Sequence, residues 1–330
     1  MRTLYLSRQG CFVSLQQEML VVKQGDRTLE EVRLPLLDQV LVFGQSQLTT
    51  QAIRACLWRN IPIAYLSRMG YCYGRVVAIE GGYRQLARYQ RELTALERLL
   101  LAQALVKAKL LNSRVILQRQ QRRRSSLMLE TAIEQLAYLI HQISDTDQID
   151  RLMGLEGAAA AQYFQGFGDC LRHADFAFVS RSRRPPGNPV NALLSFGYQV
   201  LWNHLLTLVE LQGLDPYEGC LHQGSYRHAA LVSDLIEPFR APLVDSLVLQ
   251  LINNGELDAQ GDFEYRDGGC FLGERGRRKW LGAFVQRMEM PVQSEEDAAQ
   301  PSWDLLNRQV RAYKEFVYSP VQGYAPYRIR

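Results

Sequence analysis

The spacing of apolar residues changes once along this chain, beside Gly81-Gly82, and that change limits the fold more than any other feature. Before it, apolar and polar residues alternate, as in strands with one buried face. Thr3-Leu4-Tyr5-Leu6-Ser7 and Cys11-Phe12-Val13-Ser14-Leu15 alternate in this way. Met19-Leu20-Val21-Val22 runs on to Gly25-Asp26, a tight-turn pair, and Val40-Leu41-Val42-Phe43 is a short buried run stopped by Gly44. One helix interrupts the strands: Thr49 to Arg59 places Ile53, Cys56 and Leu57 on one face. Ile61 to Leu66 and Tyr71 to Ile79 return to strand, and Gly81-Gly82 marks a domain boundary.

From Tyr83 onward the spacing is three to four. Leu86 to Gln121 repeats Leu93, Leu96, Leu100, Leu101 and Leu105. Ser125 to Ile143, Ile149 to Phe167, Val190 to Leu211, Ala230 to Asn253 and Pro301 to Tyr318 also read as helices. Pro185-Pro186-Gly187 must be a loop, after which Asn188 fits an N-cap and Pro189 a first helical turn. The expected fold is α+β: a small β-rich domain over 1–81, then a larger all-α domain over 82–330. At ~150 residues per domain the length suits two domains, and 47% hydrophobic residues give each a core.

Several function classes are excluded. The six cysteines contain no Cys-x-x-Cys pair, so neither a zinc ribbon nor a thioredoxin-like site is expected. Scattered single cysteines, no signal peptide and no run of ~18 apolar residues predict a soluble cytoplasmic protein with no membrane partner. There is no Gly-Lys-Ser/Thr loop, Gly-x-Ser-x-Gly elbow or His-Glu-x-x-His. Gly166-Phe167-Gly168 lacks the third glycine and the preceding strand of a dinucleotide fingerprint. A formal charge of +4 permits a polyanionic partner without demanding one.

Three segments hold candidate chemistry. In Gly154-Leu155-Glu156-Gly157, followed by Ala158 to Ala161, a glutamate stands at the head of a small-residue helix whose face would admit a close backbone. A plain helix-terminal charge is the competing reading. In Gly219-Cys220-Leu221-His222-Gln223-Gly224 a histidine lies in a glycine-flanked loop, where a purely structural histidine, the commoner case, is the competing reading. In Leu231 to Arg240, Asp234 and Glu237 share one helical face, and Pro238 should kink the helix at Glu237. Two like charges so placed call for a cation, or else form a solvated acidic edge. Oxygen donors with one imidazole suit magnesium or manganese.

Four stretches occur in order: Leu155-Glu156-Gly157-Ala158-x-Ala160; Pro186-x-Asn188-Pro189-x-Asn191-Ala192-Leu193-Leu194; Gly213-Leu214-Asp215-Pro216-x-x-Gly219-x-Leu221-His222; and Leu231-x-x-Asp234-Leu235-x-Glu237-Pro238-Phe239-Arg240. In this the chain resembles the integrase/endonuclease subunit of CRISPR adaptation, over nearly its whole length. The resemblance implies that Glu156, His222 and Glu237 ligate Mg2+ or Mn2+, that Asp234 supports them, and that Tyr163 and Asn191 line the site. It implies a transesterification in which the 3′-hydroxyl of a short DNA fragment attacks a phosphodiester at a repeat edge. It further implies dimerisation through the N-terminal domain and a small ferredoxin-like partner subunit. A structure-selective nuclease with the same site and a non-catalytic DNA-binding scaffold are the competing functions.

The basic clusters complete the expectation. Arg181, Arg183 and Arg184 lie close in sequence to Asn191 and, with Arg240, are expected to contact phosphate. Arg122-Arg123-Arg124 reads equally as a solvated helix face, and Arg275, Arg277, Arg278 and Lys279 form a further cluster.

Overall fold

The computed structural model describes residues 2–6, 8–67, 72–78, 83–182, 185–222, 228–292 and 300–329. The N-terminal part holds β1 (Arg2–Leu6), β2 (Phe12–Gln16), β3 (Met19–Gln24), β4 (Arg27–Arg33), β5 (Leu37–Phe43), β6 (Gln47–Leu48), α1 (Thr50–Trp58), β7 (Ile63–Leu66) and β8 (Cys72–Val76). They form two four-stranded sheets, ordered β1-β5-β7-β8 and β4-β3-β2-β6. The alternation is visible in the burial: Leu4, Leu6, Val13, Leu20, Val40 and Val42 face one core with Cys56 of α1. Gly25, at positive φ, turns β3 into β4. Thr49 caps α1 by accepting from the backbone N–H of Ala52. The expected boundary Gly81-Gly82, and Ser7, Tyr71 and Ile79 of the expected strands, lie outside the described residues.

The rest is mostly helical: α2 (Tyr83–Glu92), α3 (Ala95–Gln121), α4 (Leu127–Ile143), α5 (Ile149–Asp169), α6 (Pro189–Leu211), α7 (Ala230–Leu235), α8 (Glu237–Phe239), a π-helical segment (Arg240–Asp245), α9 (Ser246–Asn253), α10 (Glu274–Glu289) and α11 (Ser302–Tyr318). Asn188 caps α6 through its side chain with Pro189 in the first turn, as the sequence predicts. The expected single helix from Leu86 to Gln121 is two. Thr94 accepts from the backbone of Glu97 while Glu97 accepts from the backbone of Thr94, a reciprocal cap that starts α3 afresh. In consequence Leu96 and Leu100 are exposed, whereas Leu93, Leu101 and Leu105 are buried.

The helical part is not purely α. β9 (Phe263–Arg266) and β10 (Gly269–Leu272) form an antiparallel hairpin, and β11 (Pro291–Val292) pairs with β12 (Gln300–Pro301). Asp267 and Gly268 both take positive φ between β9 and β10, the geometry for which an Asp-Gly pair is suited. The long α3 is the spine, packed by α4 and α5 on one side and by α8 and the π segment on the other. The two parts meet through rings and ion pairs. Tyr5 of β1 stacks on Trp303 at 4.5 Å, and Arg75 of β8 pairs with Glu210 of α6 at 2.7 Å.

Candidate active site

The site gathers where α3, α5, α6, α8 and the π segment face one another. Lys109, in the middle of α3, puts its ammonium between two carboxylates. It contacts Glu156 Oε1 from α5 and stands 2.5 Å from Glu237 Oε2 at the start of α8. Arg240 Nη2 lies 3.0 Å from the other oxygen, Glu237 Oε1. Glu237 is 3% exposed and Glu156 25% exposed, so the pair sits at the floor of an opening rather than on open surface. Burial alone would raise the pKa of Glu237, but the charges of Arg240 and Lys109 outweigh it and hold the carboxyl down at about 2.

Glu156 is not at a helix start. α5 begins at Ile149, so Glu156 lies well inside it, and its position is set by the helical register facing Lys109. Nor do the flanking glycines admit a neighbouring backbone, because a Cβ on Gly154 or Gly157 would meet nothing within 4 Å. The close approach is at the histidine loop. A Cβ on Gly219 would lie 2.7 Å from the Ala230 Cβ and 2.9 Å from the His222 carbonyl oxygen, which requires glycine.

Asp234 and Glu237 fall on two consecutive short helices joined at Ile236, whose own backbone stays helical. α7 ends at Leu235, and α8, with Pro238, begins at Glu237. The two carboxylates serve different ends. Asp234, fully buried, accepts the backbone N–H groups of Cys220 (2.5 Å), Leu221 (3.0 Å) and His222 (2.9 Å). Its Oδ1 is also 2.7 Å from His222 Nδ1. One carboxylate thus folds the loop and orients the ring, leaving Nε2 as the ring nitrogen that could carry a ligand. Burial works against charge on His222, but the hydrogen bond and charge of Asp234, with Glu237 beside them, raise its pKa above 6.5. Gln223 and Gly224, flanking His222, lie outside the described residues.

Behind the carboxylates is a second polar group. Tyr163 of α5 donates to Asp245 Oδ2 at 2.8 Å, and Tyr198 of α6 donates to Oδ1 at 2.5 Å. Arg240 lies over the Tyr198 ring, 4.7 Å from its centroid, and Arg181 at 5.6 Å. Asn191 is a scaffold: its side-chain oxygen accepts from Arg181 Nη1 at 2.8 Å and from the backbone of Ser182, and its amide donates to the Ser180 carbonyl. Lys109, Tyr163, Arg181, Tyr198, Arg240 and Asp245 line a narrow cavity of about 30 Å³, room for a water molecule or two. Lys109, Tyr198 and Asp245 are the functional candidates that sequence reading misses. None sits in a motif, and each is identified only by partners remote in sequence.

The structure thus joins Glu156 and Glu237 around one cation, with His222 near enough to Glu237 to act on its charge. Among the described residues no three acidic, histidine or cysteine side chains form a complete metal shell. The donor set nonetheless fits a divalent ion. A monovalent ammonium already bridges the pair, and Glu237 Oε2, although near Lys109, accepts no well-aligned hydrogen bond. Arg183 and Arg184 lie outside the described residues. Arg275 and Lys279 are engaged with Asp262, at 2.5 and 2.8 Å, and so hold the hairpin to α10.

Two carboxylates and an imidazole thus stand near arginines, on a helical part that follows a β-rich one. A family model described as CRISPR associated protein Cas1 matches residues 4–286. The chain is 36% identical over 304 residues to a Cas4/Cas1 exonuclease–endonuclease fusion of Geobacter sulfurreducens, covering 88% of this chain and 53% of the fusion. It is 33% identical over 287 residues to the CRISPR-associated endonuclease Cas1 1 of Thermus thermophilus, covering 87% of this chain and 86% of that protein. A chain of a solved partial Cas6-RT-Cas1–Cas2 complex superposes with a TM-score of 0.84 at 26% identity, covering 100% of this chain and 99% of that one. The chain belongs to the Cas1 family. It spans about half the length of the fusion protein it matches, 53%.

Two outcomes follow from this geometry. In Lys109→Met, Glu156 and Glu237 lose the cation they share and Arg240 is left to balance Glu237 alone, so the metal-free protein should lose about 1–3 kcal/mol, less than a fully buried pair because Glu156 is partly solvated. Manganese titrated during thermal melting should restore that loss and raise the melting temperature of the variant more than that of the wild type. Equal metal-induced shifts would show that Lys109 does not stand in the ion's place. Burial raises Asp245 from 3.8 to about 6, so the folded state keeps its proton longer than the unfolded chain. Stability from this group is therefore present below about 3.8 and lost as pH rises through about 6. The melting temperature of Asp245→Asn relative to wild type should climb across that window and level off above it; a difference independent of pH would contradict a raised Asp245.

Proposed function

We propose that the protein is a DNA integrase/endonuclease that joins the 3′-hydroxyl of a short DNA fragment to a phosphodiester of a CRISPR repeat array. The observation that carries this reading is the pair of carboxylates from separate helices sharing one cation, Glu156 and Glu237 around Lys109. Similarity to proteins named endonucleases, and to a chain solved in a complex with Cas2, supports it.

In this reading Glu156, His222 and Glu237 hold a magnesium or manganese ion, which when bound polarises the phosphoryl group and lowers the pKa of the attacking hydroxyl. The chain's own groups do the rest. Asp234 keeps the His222 ring oriented through Nδ1. Asn191 fixes the Arg181 guanidinium, and Arg181 with Arg240 supplies positive charge for the phosphate. Arg183 and Arg184 are assigned to phosphate by their place in the sequence. Tyr163, whose phenol burial and Asp245 push well above 10, remains a neutral donor. No covalent enzyme intermediate and no nucleotide cofactor enter the reaction.

Residues 1–81 are proposed as the dimerisation domain and 82–330 as the catalytic domain. Phe12, Leu36, Trp58 and Tyr73 of the first are exposed, with Trp58 at 90%, which supports burial against a second copy. Two such dimers would flank a small ferredoxin-like partner subunit, so that two sites address two DNA ends.

The test is a strand-transfer assay with a labelled short duplex and a supercoiled target plasmid. Glu156→Ala, His222→Ala and Glu237→Ala should each lower joining by about 100-fold or more, above the ~10–100-fold typical of outer partners of a metal. DNA affinity should survive, since it rests on arginines left in place. Cleavage without joining by the wild type would replace the integrase with a nuclease. Retardation without either would leave a scaffold.

A further inference from the structure

A groove on the far side of the π segment from the carboxylates has a composition that the site chemistry does not use. It is about 640 Å³ and is walled by the end of α3, the loop after α5, the π segment, α9, α10 and the C-terminal stretch. Its charged lining groups are Arg119, Arg123, Arg172 and Arg287, and among the described residues that line it there is no carboxylate. The remaining polar lining is mainly amide, including Gln120, Gln250 and Asn253. On a chain with 38 basic and 34 acidic residues, four guanidiniums line one groove, with no acid among its described walls.

The groove is built rather than accidental. Arg287 donates to the Pro242 carbonyl at 3.3 Å and to Gln250 at 2.6 Å, and also to Ser246. These are neutral acceptors, so its charge is held in place but not cancelled. Burial pushes its guanidinium down to about 10, still cationic at neutral pH. The loop bearing Arg172 is pinned to the opposite wall, because the backbone N–H of Arg172 donates to Asn253 Oδ1 at 2.8 Å and Asn253 donates back to the Cys170 carbonyl at 2.9 Å. Arg119 lies in the last turn of α3 and Arg123 in the turn just beyond its end, and both line the groove. Tyr327 and Leu249 give the groove an apolar part, with Tyr327 stacked on Phe239 at 5.5 Å.

We propose that this groove is a binding track for the phosphate backbone of a nucleic-acid strand, separate from the candidate active site and partitioned from it by the π segment. Guanidiniums spread along a groove match a row of phosphates, which they engage with paired N–H groups, whereas a single small anion would need them focused on one point. Amides and an aromatic ring beside a cationic track suit sugars and bases. α3 carries Lys109 at one opening and Arg119 at the other, ten residues or ~15 Å further along the helix. That is about four nucleotide steps at ~3.4 Å per strand, so the groove would hold DNA away from the reacting phosphate. The inference rests on the reading of the protein as a DNA-acting enzyme.

The experiment is fluorescence anisotropy across a salt series, with a labelled single strand and a labelled duplex of about 20 nucleotides as probes. Arg123→Ala combined with Arg172→Ala should lower the log–log salt slope by about 1.4–1.8 on the strand form that occupies the groove, at ~0.7 to ~0.9 per lost contact. Affinity at low salt should fall about tenfold. Arg123→Lys with Arg172→Lys should keep the slope. Removing the same charge from the N-terminal sheet and α1, with Arg27→Ala and Arg54→Ala, should also leave it unchanged. A slope unaltered on both probes by the groove variant, or lowered as much by the N-terminal one, overturns the groove while leaving the DNA reading standing. A wild type that binds neither probe overturns both.

Discussion

Glu156 and Glu237 come from different helices and meet in a partly desolvated place, where two like charges cannot rest unless a cation lies between them. At the short distances involved their repulsion in a medium of low polarisability would exceed what one or two hydrogen bonds supply. Lys109 and Arg240 meet that requirement in the protein as it stands. In the proposed reading a divalent ion would take the place of the ammonium. An ammonium neutralises one charge of the pair and leaves Glu237 Oε2 without a well-aligned hydrogen bond, and a dication with open coordination would satisfy both.

The scaffold around the pair keeps each group where this balance needs it. α3 carries Lys109 and, three residues on, the buried Asn112. The Asn112 amide donates to the Pro238 carbonyl at 2.7 Å and to the Tyr327 carbonyl at 3.0 Å, while its oxygen accepts from the Ile329 backbone at 2.8 Å. The turn that presents Glu237 is thereby tied to both the spine and the C-terminal stretch. The π segment that follows adds its extra residue per turn beside Pro242, placing Arg240 and Asp245 together in the lining of one cavity. Gly197 of α6 lets that segment in, since a Cβ there would lie 2.5 Å from Val244 and 2.6 Å from Trp280.

Much of this was legible in the chain, and the misses have physical causes. Period and caps are local, so the strands at Leu4, Phe12, Met19, Val40 and Ile63, the Asn188-Pro189 start of α6 and a break beside Pro238 could be read directly, whereas β4, whose apolar residues are few, could not. Two local signals were present but unused: Thr94-x-x-Glu97, which splits the long helix, and Asp267-Gly268, which makes the hairpin. The separate tasks of Asp234 and Glu237 were not legible, because spacing does not show which partners each carboxylate meets: the histidine loop for one, Lys109 and Arg240 for the other. Lys109 was invisible for a different reason. An isolated lysine on an amphipathic helix looks like a solvated side chain until partners 47 residues away in sequence, and further, close around it.

Anomalous diffraction from crystals of the protein grown with manganese tests the central claim most directly. The account predicts one strong peak between the Glu156 and Glu237 carboxylates and within ligand distance of His222 Nε2, with the Lys109 ammonium displaced from between them. A peak elsewhere, or none with Lys109 still bridging the two carboxylates, would contradict it.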